Sequence, residues 1–342
     1  VKIKREELRE ALEIVKPGLA NKEIVEQGTS FAFLGDRVVT FNSEISVSHP
    51  IQGLNLTGAI KAEALYQFLN RTKAEEIEIT VRDNEVEVRA GKARAGLVFE
   101  AEIRLPIHEI GEVKKWHNIP DGLIEALRFC QPVASKDSSR PVLQCIHVHK
   151  SGKVEGADVH QIVRVKLDNK LPIETFLIPA TSVKHLLRYD VKKFALGEGW
   201  VHFRTEAGTV FSARVFQGEF PDVDPILTIE KGRTVKFPAS VLDALERAEV
   251  FAESSLSQDS EVMLRINEDG TITIRAENEQ GWAEETLEAE EVENDGKTIT
   301  IRTSPEILAS SLRQTLTCVI GENKLRFEGE TWEAVIAASV DE

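Results

Sequence analysis

At roughly 100–200 residues per domain, a chain of 342 residues holds two or three domains. Its 57 Asp+Glu outnumber its 42 Lys+Arg for a net charge of −15, and 42% hydrophobic with 29% charged residues excludes a disordered chain. No apolar run reaches the roughly 18 residues of a membrane span, Val1–Glu10 is too charged for a signal peptide, and Cys130, Cys145 and Cys318 are too few and too scattered for a disulfide frame, which points to a reducing, cytoplasmic setting.

Taken in chain order, the predicted elements repeat. A first helix is predicted around Leu8–Leu12 (LREAL), Leu123–Leu127 (LIEAL) and Val241–Leu245 (VLDAL), each apolar at i, i+3 and i+4 and acidic at i+2. The turns Pro120-Asp121 and Pro238-Ala239-Ser240 precede two of them, as helix starts require. A second helix is predicted around Ala64–Leu69, Ser182–Leu187 and Ile307–Leu312. Period-two alternation follows each one: Ile77, Ile79, Val81, then Asp83-Asn84, then Val86 and Val88; Leu196, then Gly197-Glu198-Gly199, then Val201 and Phe203; Cys318, Ile320, then Glu322-Asn323, then Leu325 and Phe327. Such alternation predicts half-buried antiparallel hairpins. Two helices and a hairpin in the same order three times make the chain a triplicated α+β protein, with boundaries at 1–115, 116–232 and 233–342.

Catalytic motifs are absent. There is no GxxxxGK[ST] loop and no GxSxG elbow, Gly197–His202 reads as a hairpin turn, and HEIGE at His108–Glu112 lacks the second histidine of a zinc helix. The residual enzyme reading is a metal site. His147 and His149 are two residues apart on a predicted strand, and a turn at Lys150–Lys153 would return Asp158 and His160 to the same face. The competing reading is a polar, solvent-facing strand.

Three segments carry a family resemblance: SSRPVLQCIHV (Ser138–Val148), ADVHQIVRV (Ala157–Val165) and GEFPDVDPIL (Gly218–Leu227). In order and spacing the chain resembles the bacterial DNA polymerase III beta sliding clamp family, whose members carry a TDGHRLA-like segment at the place of Ala157–Val163 and an FPDY-like one at Phe220–Val223. Val159 stands for a glycine, Gln161 for an arginine and Val223 for a tyrosine, and AVIAASVDE (Ala334–Glu342) replaces a tail containing methionine and arginine. These departures mark a divergent member, of chromosomal or mobile-element origin.

The resemblance implies three clamp domains, each with two inner helices and antiparallel sheets outside, closing into a six-domain ring as a head-to-tail homodimer. Geometry favours two chains. With about 10 Å between helix axes, six helices enclose a bore of about 9 Å, twelve one of about 28 Å and eighteen one of about 47 Å. Only the second fits a duplex about 20 Å wide with a layer of water. The implied function is a non-catalytic processivity factor without a cofactor that encircles double-stranded DNA independently of sequence. Polymerase and clamp loader would dock on it through short linear peptides, with no membrane involved.

Carried over by motif and position, DNA contacts fall on Lys22, Lys136 and Arg140 in loops after first helices. Others fall on or after second helices: Arg71 and Lys73, then Lys184, Arg188, Lys192 and Lys193, then Arg313. The peptide cleft would be walled by Leu143, Ile162, Pro221, Ile226, Val335 and Ile336. The acidic stretch Glu284–Asp295 belongs outside the bore. The alternative within the same fold is a decoy or regulator that binds replication proteins without encircling DNA.

Overall fold

The computed structural model describes residues 1–252, 260–293 and 297–341. All six predicted helices form. The first helices of the three repeats are α1 (Arg5–Val15), α3 (Leu123–Cys130) and α6 (Val241–Glu249); the second helices are α2 (Ala62–Arg71), α4 (Ala180–Leu186) and α7 (Pro305–Leu312). One further turn of helix, α5 (Asp224–Leu227), has no counterpart among the predicted elements.

The first helices bury the same positions. Leu8, Ala11, Leu12 and Val15 are matched by Leu123, Ala126, Leu127 and Cys130, and by Val241, Ala244, Leu245 and Ala248. This is one apolar stripe at i, i+3, i+4 and i+7 used three times. The proline turns act as read from the sequence: the Leu123 amide donates to Pro120 O at 3.2 Å and the Val241 amide to Pro238 O at 3.0 Å. At α7 the Ser304 hydroxyl accepts from the Ile307 amide, with Pro305 at the first helical position where its missing N–H costs nothing.

The chain packs as two compact units, residues 1–124 with 170–217, and residues 125–169 with 218–342. Glu342 lies outside the described residues. The middle repeat is shared between them because its strands join two different ladders. In the first unit Val210–Arg214 pairs with Ile45–Pro50, Phe211 opposite Val47. In the second Gln161–Lys166 pairs with Trp332–Ala337, Ile162 opposite Val335.

The sheet of the first unit runs Lys2–Lys4, Glu76–Arg82, Glu85–Ala90, Ala93–Glu100, Leu56–Lys61, Ser30–Gly35, Arg37–Phe41, Ile45–Pro50, Val210–Arg214, Trp200–Thr205, Val191–Leu196 and His117–Asn118, all antiparallel. One face carries an aromatic row. Phe194 stacks on Phe203, and Tyr189 packs on Phe211 while its hydroxyl donates to Ile14 O of α1 at 2.6 Å. In the second unit one ladder runs Cys145–Val148, Lys153–Ala157, Gln161–Lys166, Trp332–Ala337, Lys324–Glu328, Thr317–Gly321, Arg233–Lys236 and Glu291–Val292. Another runs Gly281–Glu288, Thr271–Asn278, Val262–Ile266, Ile299–Thr303 and Ser339–Asp341.

All three predicted hairpins are present, closing at Arg82 opposite Glu85, Leu196 opposite Val201 and Gly321 opposite Lys324. Asp83 and Asn323 take left-handed backbone there, φ 47° and 55°, which short polar side chains tolerate.

Among the described residues, two of the eight-residue strands keep an open side. Gly281–Glu288 pairs only with Thr271–Asn278. Ala93–Glu100 pairs with Glu85–Ala90 but meets Leu56–Lys61 only at Phe99 and Glu100. Within the predicted acidic stretch, Asn294 and Asp295 lie outside the described residues.

Candidate functional site

The candidate site is in the second unit, where three of the six predicted cleft residues meet. Ile162 and Val335 face each other across the ladder and form one buried cluster with Ala157, Val223 and Leu227, against which Leu143 and Phe220 pack. Pro221 is exposed beside it and Ile226 is 46% exposed, so the segment 220–227 offers some apolar side chains outward and buries others. Lys324 Nζ fixes this segment by donating to Ile226 O at 2.9 Å and Thr228 O at 2.6 Å. Ile336 does not join the cluster. Side chains alternate along a strand, so Ile336 is buried on the other face, paired with Leu325.

Beside the apolar cluster, on the same face, is a charged one that the sequence reading missed. Arg164, two residues after Ile162, is buried and donates to three carboxylates: Glu155 through Nε, Asp224 through Nη2 and Glu333 through Nη1. Lys166 pairs with Glu333 at 2.9 Å and Arg326 does so at 3.2 Å, while Lys153 reaches Asp224 at 3.4 Å. Burial works against ionisation of Glu155, but the His147 hydrogen bond and the Arg164 charge outweigh it and hold its carboxyl below the usual range. Glu333 is held low by Lys166 and Arg326 against the same opposition from burial. The Arg164 hydrogen bond and charge lower Asp224. A sequence signal existed. Arg164 and Glu333 sit two residues from Ile162 and Val335, hence on the same buried face of their strands.

The proposed metal quartet is not assembled. The return strand ends at Ala157, so Asp158 and His160 lie in the following turn, where Asp158 Oδ1 accepts from the His160 amide at 2.7 Å and the Gln161 amide at 2.8 Å. His147 is instead opposite Glu155, its Nδ1 2.6 Å from Glu155 Oε2 and its ring stacked on Phe220; His149 Nδ1 is 2.7 Å from Ser151 Oγ. Among the described residues no three His, Cys, Asp or Glu side chains are placed to share a metal.

The ten predicted DNA contacts, Lys22, Arg71, Lys73, Lys136, Arg140, Lys184, Arg188, Lys192, Lys193 and Arg313, are not buried. Their surroundings differ. Lys192 is tied to Asp190 at 2.7 Å and Arg313 to Glu246 at 3.6 Å. Lys193 pairs in register with Arg204, and its neighbour Phe194 with Phe203, so Lys193 points away from the aromatic face that meets Tyr189 and α1. Of the four middle-repeat cations, Lys184 is on α4, Arg188 is in the turn after it, and Lys192 and Lys193 are on the strand Val191–Leu196.

No family model matches the chain, and no curated protein matches its sequence. Solved structures do. It is similar to the DNA polymerase sliding clamp from Bacillus subtilis at 19% identity with a TM-score of 0.85. It is also similar to the beta subunit from DNA polymerase of Streptococcus pyogenes at 21% and 0.84, and to a putative DNA polymerase III beta subunit from Eubacterium rectale at 13% and 0.83. Each match covers 98% of both chains.

The chain has the sliding-clamp fold.

In this sliding-clamp fold the triplication read from the sequence and the α+β class are both present, although fewer than a quarter of the residues are shared with those structures. No helix among the described residues is long and apolar enough to cross a membrane.

Proposed function

We propose that this protein is a DNA sliding clamp: a non-catalytic processivity factor that encloses duplex DNA and tethers a polymerase, with the three repeats 1–115, 116–232 and 233–342 as its domains. The observation that supports this is a fold shared along 98% of the chain with solved sliding clamps. A ring of twelve helices needs two copies, joined head to tail by rotational symmetry. The two open strands suit that role. Lys92 and Arg94 lie at one and Glu284, Glu285 and Glu288 at the other, so edge pairing between copies would bring opposite charges together.

Polymerase and loader peptides would dock at the cluster of Leu143, Ile162 and Val335, entering past Pro221 and Ile226. Apolar anchors beside fixed strand edges supply affinity of this kind. The ten cations and six cleft residues named from the sequence remain part of this proposal, with Ile336 and Lys193 the weakest members on geometry.

The test is solution mass together with topological retention. Two chains of 38.1 kDa give a particle of about 76 kDa. It should stay on nicked circular DNA through a salt wash and leave when the circle is linearised. A monomer at micromolar concentration that is never retained would refute the proposal, and peptide docking without retention would support the decoy instead.

A further inference from the structure

Gln27 is fully buried and has a left-handed backbone, φ 60°, which a residue with a long side chain seldom adopts. Its surroundings hold it there. The Gln27 amide donates to Glu23 Oε1 at 3.0 Å, the Gln27 carbonyl accepts from the Ser30 amide at 2.9 Å, and Glu23 is paired in turn with Lys61. The side chain spends its full bonding capacity, two donors and two acceptor sites, on one segment. Nε2 donates to Glu100 Oε2 at 2.9 Å and to Glu102 O at 2.8 Å, while Oε1 accepts from the Arg104 amide at 2.8 Å and the Leu105 amide at 3.3 Å.

That segment leads from the first repeat into the second. Residues 101–116 are turns and irregular backbone with a short 3-10 helix at Ile107–Ile110. In a strand a ladder would satisfy the Arg104 and Leu105 amides; here Gln27 does. Leu105 is buried in one cluster with Phe41 of the first repeat and Trp200 of the second, and Ile103 and Ile107 pack against it. The Phe41 and Trp200 rings are 5.9 Å apart, and Arg214 lies over Trp200 and bonds Glu109 Oε2 at 3.1 Å. Gln27 thus pins the cover of a core that both repeats share. The segment that joins the second and third repeats is held by charged groups instead, Arg164 on Asp224 and Lys324 on the Ile226 and Thr228 carbonyls.

We infer that Gln27 is a positioning residue for ring closure: by holding residues 100–105 down on the Phe41–Trp200 core, it sets the angle between the first and second repeats. This rests on the sliding-clamp reading. A head-to-tail pair closes only when the ends of each chain are presented at one fixed angle. Both copies carry the same joint, so an error there enters the ring twice. One contact can then still form, but the second is no longer within reach, and the gain from engaging both at once is lost. A strained backbone conformation kept by so many bonds is what such a role requires.

The experiment compares wild type with Gln27→Leu, which keeps the bulk and loses the side-chain bonds, and Gln27→Asn, which tolerates left-handed backbone but is one methylene too short to reach the segment. Three quantities are read at a temperature where circular dichroism shows each protein folded: hydrogen exchange at the Arg104 and Leu105 amides, the dimer dissociation constant by sedimentation, and retention time on a nicked plasmid. Both variants should exchange these two amides faster, raise the dissociation constant at least tenfold and shorten retention at least tenfold. Arg104→Ala, which removes exposed ion pairs to Glu26 and Glu102 but keeps the amide, should change either quantity less than twofold. If Gln27→Leu does not fold, Gln27→Asn decides. Faster exchange with dimerisation and retention unchanged would overturn the inference and leave the clamp reading intact, and so would unchanged exchange. Wild-type protein that is never retained would refute the clamp reading itself, and the inference with it.

Discussion

Arg164 and Asp224 are sixty residues apart in sequence, yet the Arg164 guanidinium donates to the Asp224 carboxylate and ties the segment 220–227 to the face that holds Ile162 and Val335. Arg164 is buried, Asp224 is 58% exposed at its side chain, and Glu155 and Glu333 complete the set. Arg164→Met leaves the nearly buried Glu155 without its guanidinium partner and should cost about 3–5 kcal/mol. Asp224→Asn removes an exposed charge and should cost far less. Urea denaturation of both variants checks the ordering.

The carboxylates of this network give stability a defined acid limb. Glu155, Glu333 and Asp224 titrate lower in the folded protein than in the unfolded chain, so their contribution is complete above the ordinary carboxylate range. It drains away as pH falls from about 4.3 through the lower folded values. Denaturation midpoints between pH 5 and 3 should fall steeply for the wild type and less steeply for Arg164→Met.

His202 produces a separate slope at milder pH. It is buried, its Nδ1 is 2.9 Å from Ser212 Oγ, its Nε2 has no partner, and burial pushes its pKa down to about 4. Between about 6.5 and 4 the unfolded chain takes up this proton and the folded protein does not. Stability should therefore fall as pH drops through that window, by up to about 3 kcal/mol in all, and level off below it. Between pH 7 and 5, where the carboxylates are silent, a His202→Leu variant should show a shallower slope than the wild type.

Reversing charge at an open strand should weaken the dimer. Arg94 is exposed on Ala93–Glu100, and the acidic Gly281–Glu288 is its proposed partner in the second copy. Arg94→Glu should raise the dimer dissociation constant at least tenfold, about 1.4 kcal/mol, as read by sedimentation across a concentration series. An unchanged constant would move the interface elsewhere.

Docking at the apolar cluster predicts a separation of effects. The Ile226 side chain is 46% exposed and its segment is held through backbone oxygens by Lys324. Ile226→Asp should leave stability within about 0.5 kcal/mol and sharply shorten the tracts that a polymerase synthesises per binding event.

The site is legible in the sequence only in part. Leu143, Ile162 and Val335 are named through the resemblance to the clamp family, and they do meet. Ile336 is adjacent to Val335 in sequence, and the pleat sends it to the other face. Val223 and Leu227 give no sign of joining the cluster because α5 is a single turn with no periodicity to read. The histidine and aspartate set fails for a similar reason: a strand ending one residue earlier places Asp158 in a turn rather than on the sheet.

What the sequence determined by itself is the threefold order of helix, helix and hairpin. Apolar spacing of 3.6 or 2 residues is a local property that a short window carries completely. Tertiary structure alone decided that Val210–Arg214 extends the ladder of Ile45–Pro50, that Gln161–Lys166 meets Trp332–Ala337, and that Arg164 finds Asp224, Glu155 and Glu333. Those partners lie 9 to about 170 residues away. A strand edge or a buried charge accepts any geometrically suitable partner, so only packing of the whole chain selects one.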